Sequence, residues 1–292
     1  MKRLKILLAI LLVATGTPAP AKPSASADYA VGPQYDTTHV YVAAADFDAF
    51  VASLVVTFGG TTSKQGVFQV TPTPSQTMSQ LVLTPAGSIS VFGFKTPIPY
   101  PFGDERTGYL VSDLDAATLA AKRAGAVRLV ETFLDPIGRD VLVQWPGGVN
   151  MQLYWHTTQP SYAPLATVPE NRIYLTADAA DRFVAAWKDF SHGQVVSDAA
   201  APGDEIGKPG TSYRRIRLTS GYGRMSIAVT DGALPWPYGR ELTGYAVGDL
   251  DATLARAITA GATVLIPATT ARRAAMVRFP GGYIAEIHAA PK

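Results

Sequence analysis

The sequence predicts an α+β protein: four β-α-β-β-β modules paired into two half-open, cup-shaped β-sheet domains with helices outside. Three observations predict it. The stretch Pro99-Tyr-Pro-Phe-Gly-Asp-Glu-Arg-Thr-Gly-Tyr-Leu-Val-Ser-Asp-Leu-Asp115 returns as Pro235-Trp-Pro-Tyr-Gly-Arg-Glu-Leu-Thr-Gly-Tyr-Ala-Val-Gly-Asp-Leu-Asp251, with eleven of seventeen positions identical and no gap. That marks an internal duplication. Four helical stretches end at Gly59, Gly125, near Gly193 and at Gly261, spaced 66, 68 and 68 residues apart, so each half divides again. Each helix is followed by two or three strand-like runs rich in β-branched and aromatic residues.

The chain opens with a segment outside this array. Met1 to Lys5 is basic, and Ile6 to Thr15 is an apolar run too short for a permanent membrane span. Ala19-Pro-Ala21 and Ala25-Ser-Ala27 both fit a small-residue cleavage pattern. Residues 1 to 21 therefore read as a secretory signal peptide cut between residues 21 and 27, and the protein as exported, periplasmic or secreted. An uncleaved anchor is the alternative. Removing residues 1 to 21 takes away Lys2, Arg3 and Lys5 and no acidic residue, which moves the net charge from +2 to −1. A nearly neutral chain has no field to attract nucleic acid or anionic lipid, so neither nucleic acid nor membrane is an expected partner after cleavage. With no cysteine there is neither a disulfide nor a thiolate metal site. Stability must come from the core, for which 47% apolar residues suffice.

Residues 22 to 36, rich in Ala, Ser and Pro, read as a flexible leader. Residues 37 to 157 form the first expected domain, beginning with a strand at Thr38 to Val42. A helix follows in which Phe47, Phe50, Val51, Leu54, Val55 and Phe58 make one apolar stripe, with Asp46 as N-cap. The second helix runs from Leu114 to Ala124 behind Asp113. Strands are expected near residues 66 to 70, 79 to 83 and 89 to 94, then 127 to 133, 140 to 144 and 149 to 155. Residues 158 to 170, with Pro160, Pro164 and Pro169, read as a linker. Residues 171 to 292 form the second domain, with helices at Ala179 to Phe190 and Leu250 to Ala260. The hairpins Pro146-Gly-Gly148 and Pro280-Gly-Gly282 feed the closing strand of each half. One module cannot bury its sheet face alone. Two side by side form a curved sheet whose concave face is the natural place for a ligand.

The His39-Val-Tyr-Val42 strand entry, the Gly-Tyr-x-Val-x-Asp-Leu-Asp runs at 108 to 115 and 244 to 251, and the Pro-Gly-Gly hairpins resemble the vicinal oxygen chelate superfamily. That group includes glyoxalase I, bleomycin-resistance proteins and extradiol dioxygenases. The resemblance covers residues 37 to 289 and implies paired βαβββ modules forming a cup. Its metal enzymes place His or Glu on the first strands and Glu on the closing strand. The matching positions here hold His39, Arg106 and Gln152 in the first half and Arg172, Leu242 and Glu286 in the second. Neither half keeps a full ligand set, since a divalent cation needs about three protein donors on one face. The resemblance therefore implies no metal cofactor of the usual kind, although a divalent ion at a non-standard site stays open. Arg172 is expected to form an ion pair with Glu286 on the floor of the second cup.

His39 can be a base, a ligand or a polar group bonded to Gln152. Glu286 and His288 share a strand face and can be an acid–base pair or an ion-paired strand end. Gln152, Tyr154 and His156 repeat that spacing in the first half. Tyr100, Phe102, Trp236 and Tyr238, stiffened by proline, either fold over a ligand or pack as straps between modules. Arg214, Arg215 and Arg217 form either an anion clamp or, the simpler reading, a solvated edge strand. His192, at a helix C-terminus, reads as structural. No nucleophile elbow, P-loop or dinucleotide fingerprint appears. The leading expectation is an exported protein that binds a small apolar or aromatic molecule in a cup without the usual metal. The alternative is a metal-dependent lyase, isomerase or ring-cleaving dioxygenase using His39, Glu286 and His288. A scaffold with filled cups is the third.

Overall fold

The computed structural model describes residues 29 to 270 and 272 to 290. The expected signal peptide and the start of the expected leader lie outside the described residues. The first module is β1 (Thr38–Ala43), α1 (Phe47–Phe58), β2 (Thr61–Thr62), β3 (Gly66–Phe68), β4 (Thr77–Thr84) and β5 (Gly87–Phe94). The second is β6 (Thr107–Leu110), α2 (Leu114–Arg123), β7 (Val127–Leu134), β8 (Gly138–Trp145) and β9 (Val149–His156). The third is β10 (Glu170–Leu175), α3 (Ala177–Ser191), β11 (Gln194–Pro202), β12 (Ser212–Ser220) and β13 (Gly223–Val229). The fourth is β14 (Leu242–Val247), α4 (Leu250–Thr259), β15 (Thr263–Ile266), β16 (Ala274–Arg278) and β17 (Ile284–Ala289).

Two open mixed sheets result. One runs β2-β4-β5-β1-β6-β9-β8-β7, with β3 also on β4; the other runs β11-β12-β13-β10-β14-β17-β16-β15. In each, the opening strands of the two modules meet antiparallel at the centre, and each pairs parallel with the closing strand of its own module. The apolar stripe of α1 buries Phe47, Phe50, Val51, Leu54 and Phe58 against the back of the first sheet. Asp113 and Asp249 cap α2 and α4 by accepting from the backbone N–H of Ala116 and Ala252, each at 2.9 Å. That removes one orphan donor from each helix start.

The helices stand outside the cups, on the backs of the sheets, and there they meet across the halves. Helix α1 packs on α4, and α2 packs near α3. One core joins the second and third modules around Tyr109, Trp145, Trp187, Phe190 and Tyr222, with Trp145 edge-on to Trp187 at 5.3 Å. The other joins the first and fourth around Phe50, Phe58, Tyr245 and Phe279. A large side chain buried this fully contributes about 1.5 to 3 kcal/mol. Two such cores hold the halves together without a disulfide. No helix among the described residues is long and apolar enough to cross a membrane.

Several expectations are corrected. Residues 29 to 36 are not a free leader. Tyr29 is buried and stacks on Phe190, Val31 forms a β-bridge with Val111, and the Gln34 side chain bonds both the N–H and the carbonyl of Leu110. Asp46 does not cap α1, because a 3₁₀ turn, Ala44–Asp46, carries the chain into that helix. Helix α3 stops beside Gly193 as expected, but the left-handed residue there is His192, whose ring approaches the Tyr29 hydroxyl at 3.2 Å. The histidine supplies the reversing residue and gains an aromatic neighbour in exchange. Finally, β12 is not an edge strand. It lies between β11 and β13, which places Arg215 and Arg217 on the concave face and turns Arg214 toward Asp181 and Asp198.

Candidate functional site

Strand alternation decides which side chains reach each concavity. In the first sheet Val40 and Val42 face the core, so His39 and Tyr41 face the cup. Register then carries that face sideways. Ser90 lies opposite His39, Gln152 opposite Gly108 and Leu142, and Asp140 opposite Tyr154. These rows enclose a cavity of about 380 Å³. Its walls are Phe68, Val70, Leu81, Phe92 and Ile137, and its polar floor is His39, Ser90, Asp140, Gln152, Tyr154 and His156. His39 is buried, stands edge-on to Phe92 at 5.7 Å, and has its Nδ1 3.9 Å from Oε1 of Glu105. Its expected bond to Gln152 is not formed among the described residues; Nδ1 is buried without a hydrogen-bond partner, with Glu105 beyond hydrogen-bond distance.

The floor is richer in carboxyl groups than the sequence suggests. Asp36 Oδ2 accepts from the Ser90 hydroxyl at 2.5 Å, and its backbone carbonyl accepts from Tyr154 at 3.2 Å. Burial pushes the carboxyls of Asp36, Asp135 and Asp140 above the usual carboxylate range. At Asp140, like-charge repulsion from Asp135 and Asp36 adds to the loss of solvent. Burial also holds the His156 imidazole below its ordinary value. The cup thus combines apolar walls with buried carboxyl groups that hold their protons more tightly than free ones.

The second cup has the same frame and different contents. Its cavity, about 240 Å³, is lined by Arg172, Arg215, Arg217, Arg272 and Arg273 against Glu170, Glu205 and Glu286, with His288 beside them. The expected ion pair is present: Arg172 Nη1 lies 2.6 Å from Glu286 Oε1. Arg172 also reaches Glu170 at 3.3 Å, and Arg272 approaches the other oxygen of Glu286 at 3.6 Å. Glu286 therefore faces guanidinium groups. His288 shares its strand face, but its Nδ1 turns to the Ala289 carbonyl at 3.2 Å, and burial with the Arg172 charge holds its imidazole low. The two residues are not joined as an acid–base pair.

Other candidates fall elsewhere. Arg106 is the cross-strand partner of His39, whose N–H donates to its carbonyl at 3.1 Å. Its side chain, however, lines a separate cleft with Asp104, Glu241 and Tyr283. The proline straps divide by residue: Tyr100 and Trp236 are 77% and 63% exposed, whereas Phe102 and Tyr238 are buried at 7% and 8%. None of the four lines either cup. Phe102 packs on Phe133 and Leu142, and Tyr238 on Leu242 and Met276, because the second aromatic of each strap turns inward onto the concave face of its sheet, beside the cup. Tyr238 also accepts a hydrogen bond from Arg272 at 3.1 Å.

The residue beneath each first-strand side chain is a glycine. A Cβ on Gly108 would lie 2.6 Å from Nε2 of His39, and one on Gly244 would lie 2.7 Å from Nε of Arg172. Gly108 itself offers no side-chain donor opposite His39, and Gln152 lies beside it on the closing strand. Among the described residues no group of three or more His, Cys, Asp or Glu is placed to hold a metal ion.

Sequence reasoning missed Asp36, Glu105, Asp135 and Asp140. Glu105 had a signal, since its partner in the repeat, Glu241, is also glutamate although the residues on both sides of it differ between the two copies. Asp36 had none, because its segment looked unstructured.

No protein-family model matches this chain, and no curated protein matches it by sequence. Solved structures do match in shape. A variant of 4-hydroxymandelate synthase from Streptomyces coelicolor aligns over 88% of this chain and 93% of its own, with 13% identity and a TM-score of 0.57. A variant of homoprotocatechuate 2,3-dioxygenase from Brevibacterium fuscum aligns over 92% and 74%, with 11% identity and a TM-score of 0.55. The Mn(II)-bound glyoxalase from Novosphingobium aromaticivorans aligns over 89% and 83%, with 15% identity and a TM-score of 0.51. At such identities the likeness speaks for architecture and not for chemistry. Module order, cup geometry and these neighbours agree: the chain has the fold of the vicinal oxygen chelate superfamily.

Proposed function

We propose that the chain is an exported small-molecule-binding protein whose first cup holds an aromatic or apolar ligand bearing a hydrogen-bond donor, without a resident divalent cation. The observation that carries this is the 380 Å³ cavity with Phe68, Leu81 and Phe92 on its walls and Asp140, Gln152 and Tyr154 on its floor. Aromatic walls bury a flat ring, and convergent polar tips orient it. The floor presents mostly acceptors, which suits a phenol or an amine. Gly108 beneath His39 supports the metal-free part, because it removes one donor position outright.

The test is a thermal-shift and calorimetric titration of the purified chain with 1-naphthol, indole and benzylamine. At least one should raise the melting temperature by about 2 °C or more by mass action. Phe92→Ala should lose most of that shift, and EDTA should leave it unchanged. A flat response to all three probes sinks the ligand reading. A stoichiometric divalent metal that co-purifies and is lost in His39→Ala sinks the metal-free part.

One observation favours a second reading, proton transfer on the bound molecule. Asp140 and Asp36 line the cavity with carboxyls raised above their ordinary range, the direction a general acid requires. Asp140→Asn would then abolish turnover while sparing ligand affinity.

A further inference from the structure

We propose that the second cup is a separate binding site for a compact oxyanion, a carboxylate or a phosphate group. It is independent of the ligand in the first cup. The cavity carries five arginines against three glutamates, so its charge is uncompensated. The pairing within it is uneven. Glu286 is taken by Arg172 and approached by Arg272, and Glu205 by Arg215 and by the Tyr213 hydroxyl at 2.6 Å. Among the described residues, Arg217 and Arg273 line the cavity with no carboxylate at ion-pair distance. Below them, Arg172 Nε and Arg272 Nη2 are buried without a hydrogen-bond partner.

Geometry places these donors together. Arg217 on β12 lies opposite Ser226 on β13, and Ser226 lies opposite Arg172 on β10. Directly opposed residues share one sheet face. The row therefore presents guanidinium, hydroxyl and guanidinium in sequence along the cup floor. Guanidinium forks match the oxygen pairs of carboxylates and phosphates. Like charges crowded in a concavity repel one another, and an anion relieves that repulsion as it binds. The volume of about 240 Å³ holds roughly eight waters, which suits a short acid or a phosphate monoester.

The experiment is calorimetric titration at constant ionic strength with sodium phosphate and, separately, sodium propionate. The two arms distinguish phosphate from carboxylate. Saturable binding of at least one probe is expected, weakened by about tenfold or more in the double variant R217Q/R273Q, since a hydrogen bond to a charged group is worth about 1.5 to 3 kcal/mol. Both side chains are exposed, so the variant should melt as the parent does. The charge-matched variant K122Q/K188Q, altered on helices away from the cup, should bind as tightly as the parent. Absence of saturable binding by both probes overturns the proposal. So does an equal loss of affinity in the two double variants, which would reduce the effect to net charge.

Discussion

The two cups are built on one frame and filled with opposite chemistry. Each has a long polar side chain from the first strand lying across a glycine, His39 over Gly108 and Arg172 over Gly244. Each has a serine beside it, Ser90 or Ser226, and an amide or carboxylate on the closing strand, Gln152 or Glu286. The differences lie one step outward. Phe92 corresponds to Ala228, Asp140 to Ala274 and Tyr154 to His288. The first cup is larger, walled by aromatics and floored by carboxyls. The second is smaller and crowded with arginines. Strand register sets which positions face inward, and a few side chains at those positions decide whether the cup suits an apolar ligand or an anion.

The largest expected effect comes from cutting the second floor. Arg172→Ala leaves Glu286 partly stripped of its counter-charge in a recessed site, and breaking such a pair costs about 3 kcal/mol or more. Replacing both partners, R172M/E286M, should cost less than the single change, because the charges left behind, Glu170 and Arg272, are one of each sign. Equilibrium urea unfolding measures both. If the double variant is the less stable of the two, the pair itself holds the cup together and the frame argument fails. In the first cup the matching change, Gly108→Ala, intrudes on the His39 imidazole at 2.6 Å. It should weaken ligand binding by about tenfold while costing only about 1 kcal/mol, since the ring can swing aside. Calorimetry on this variant with the first-cup ligand checks it; unchanged affinity would mean that His39 takes no part in binding.

Much of this frame was legible before the structure. The glycine spacing and the seventeen-residue repeat revealed four modules, because helix ends and strand entries each need particular residue types at fixed offsets. The Arg172–Glu286 pair followed from two charges at matched positions. Asp36 and Asp140 were not legible, because their burial depends on long-range packing: Asp36 is held by Ser90 and Tyr154 from distant strands. Nor was the split within each strap, where Phe102 turns in and Tyr100 out, since proline spacing fixes a segment's stiffness but not its rotation. The arginine strand β12 looked like an edge because the strand expected at residues 194 to 197 is too short to cover it, whereas β11 runs on to Pro202.

The smallest effect expected tests the comparison within the repeat itself. Glu105 and Glu241 occupy the same position in the two copies. Glu105 accepts from the Tyr41 hydroxyl and the Gly103 N–H, and belongs to the first cup's surroundings. Glu241 instead lies where the halves meet, accepting from Thr107 at 3.2 Å, and burial pushes its carboxyl up to about 7 from 4.5. The folded protein thus keeps a proton there in a window where the unfolded chain has lost it, so stability falls as pH rises from about 4.5 to about 7. Glu241→Gln keeps an acceptor for Thr107 and cannot ionise. The variant should therefore melt about 2 to 6 °C above the parent near pH 8, and the gap should close near pH 5. Paired melting curves at those two pH values decide it. A gap that is the same at both would show that Glu241 does not titrate at the junction, and that the repeat's two glutamates have not diverged in environment as the rest of the cups have.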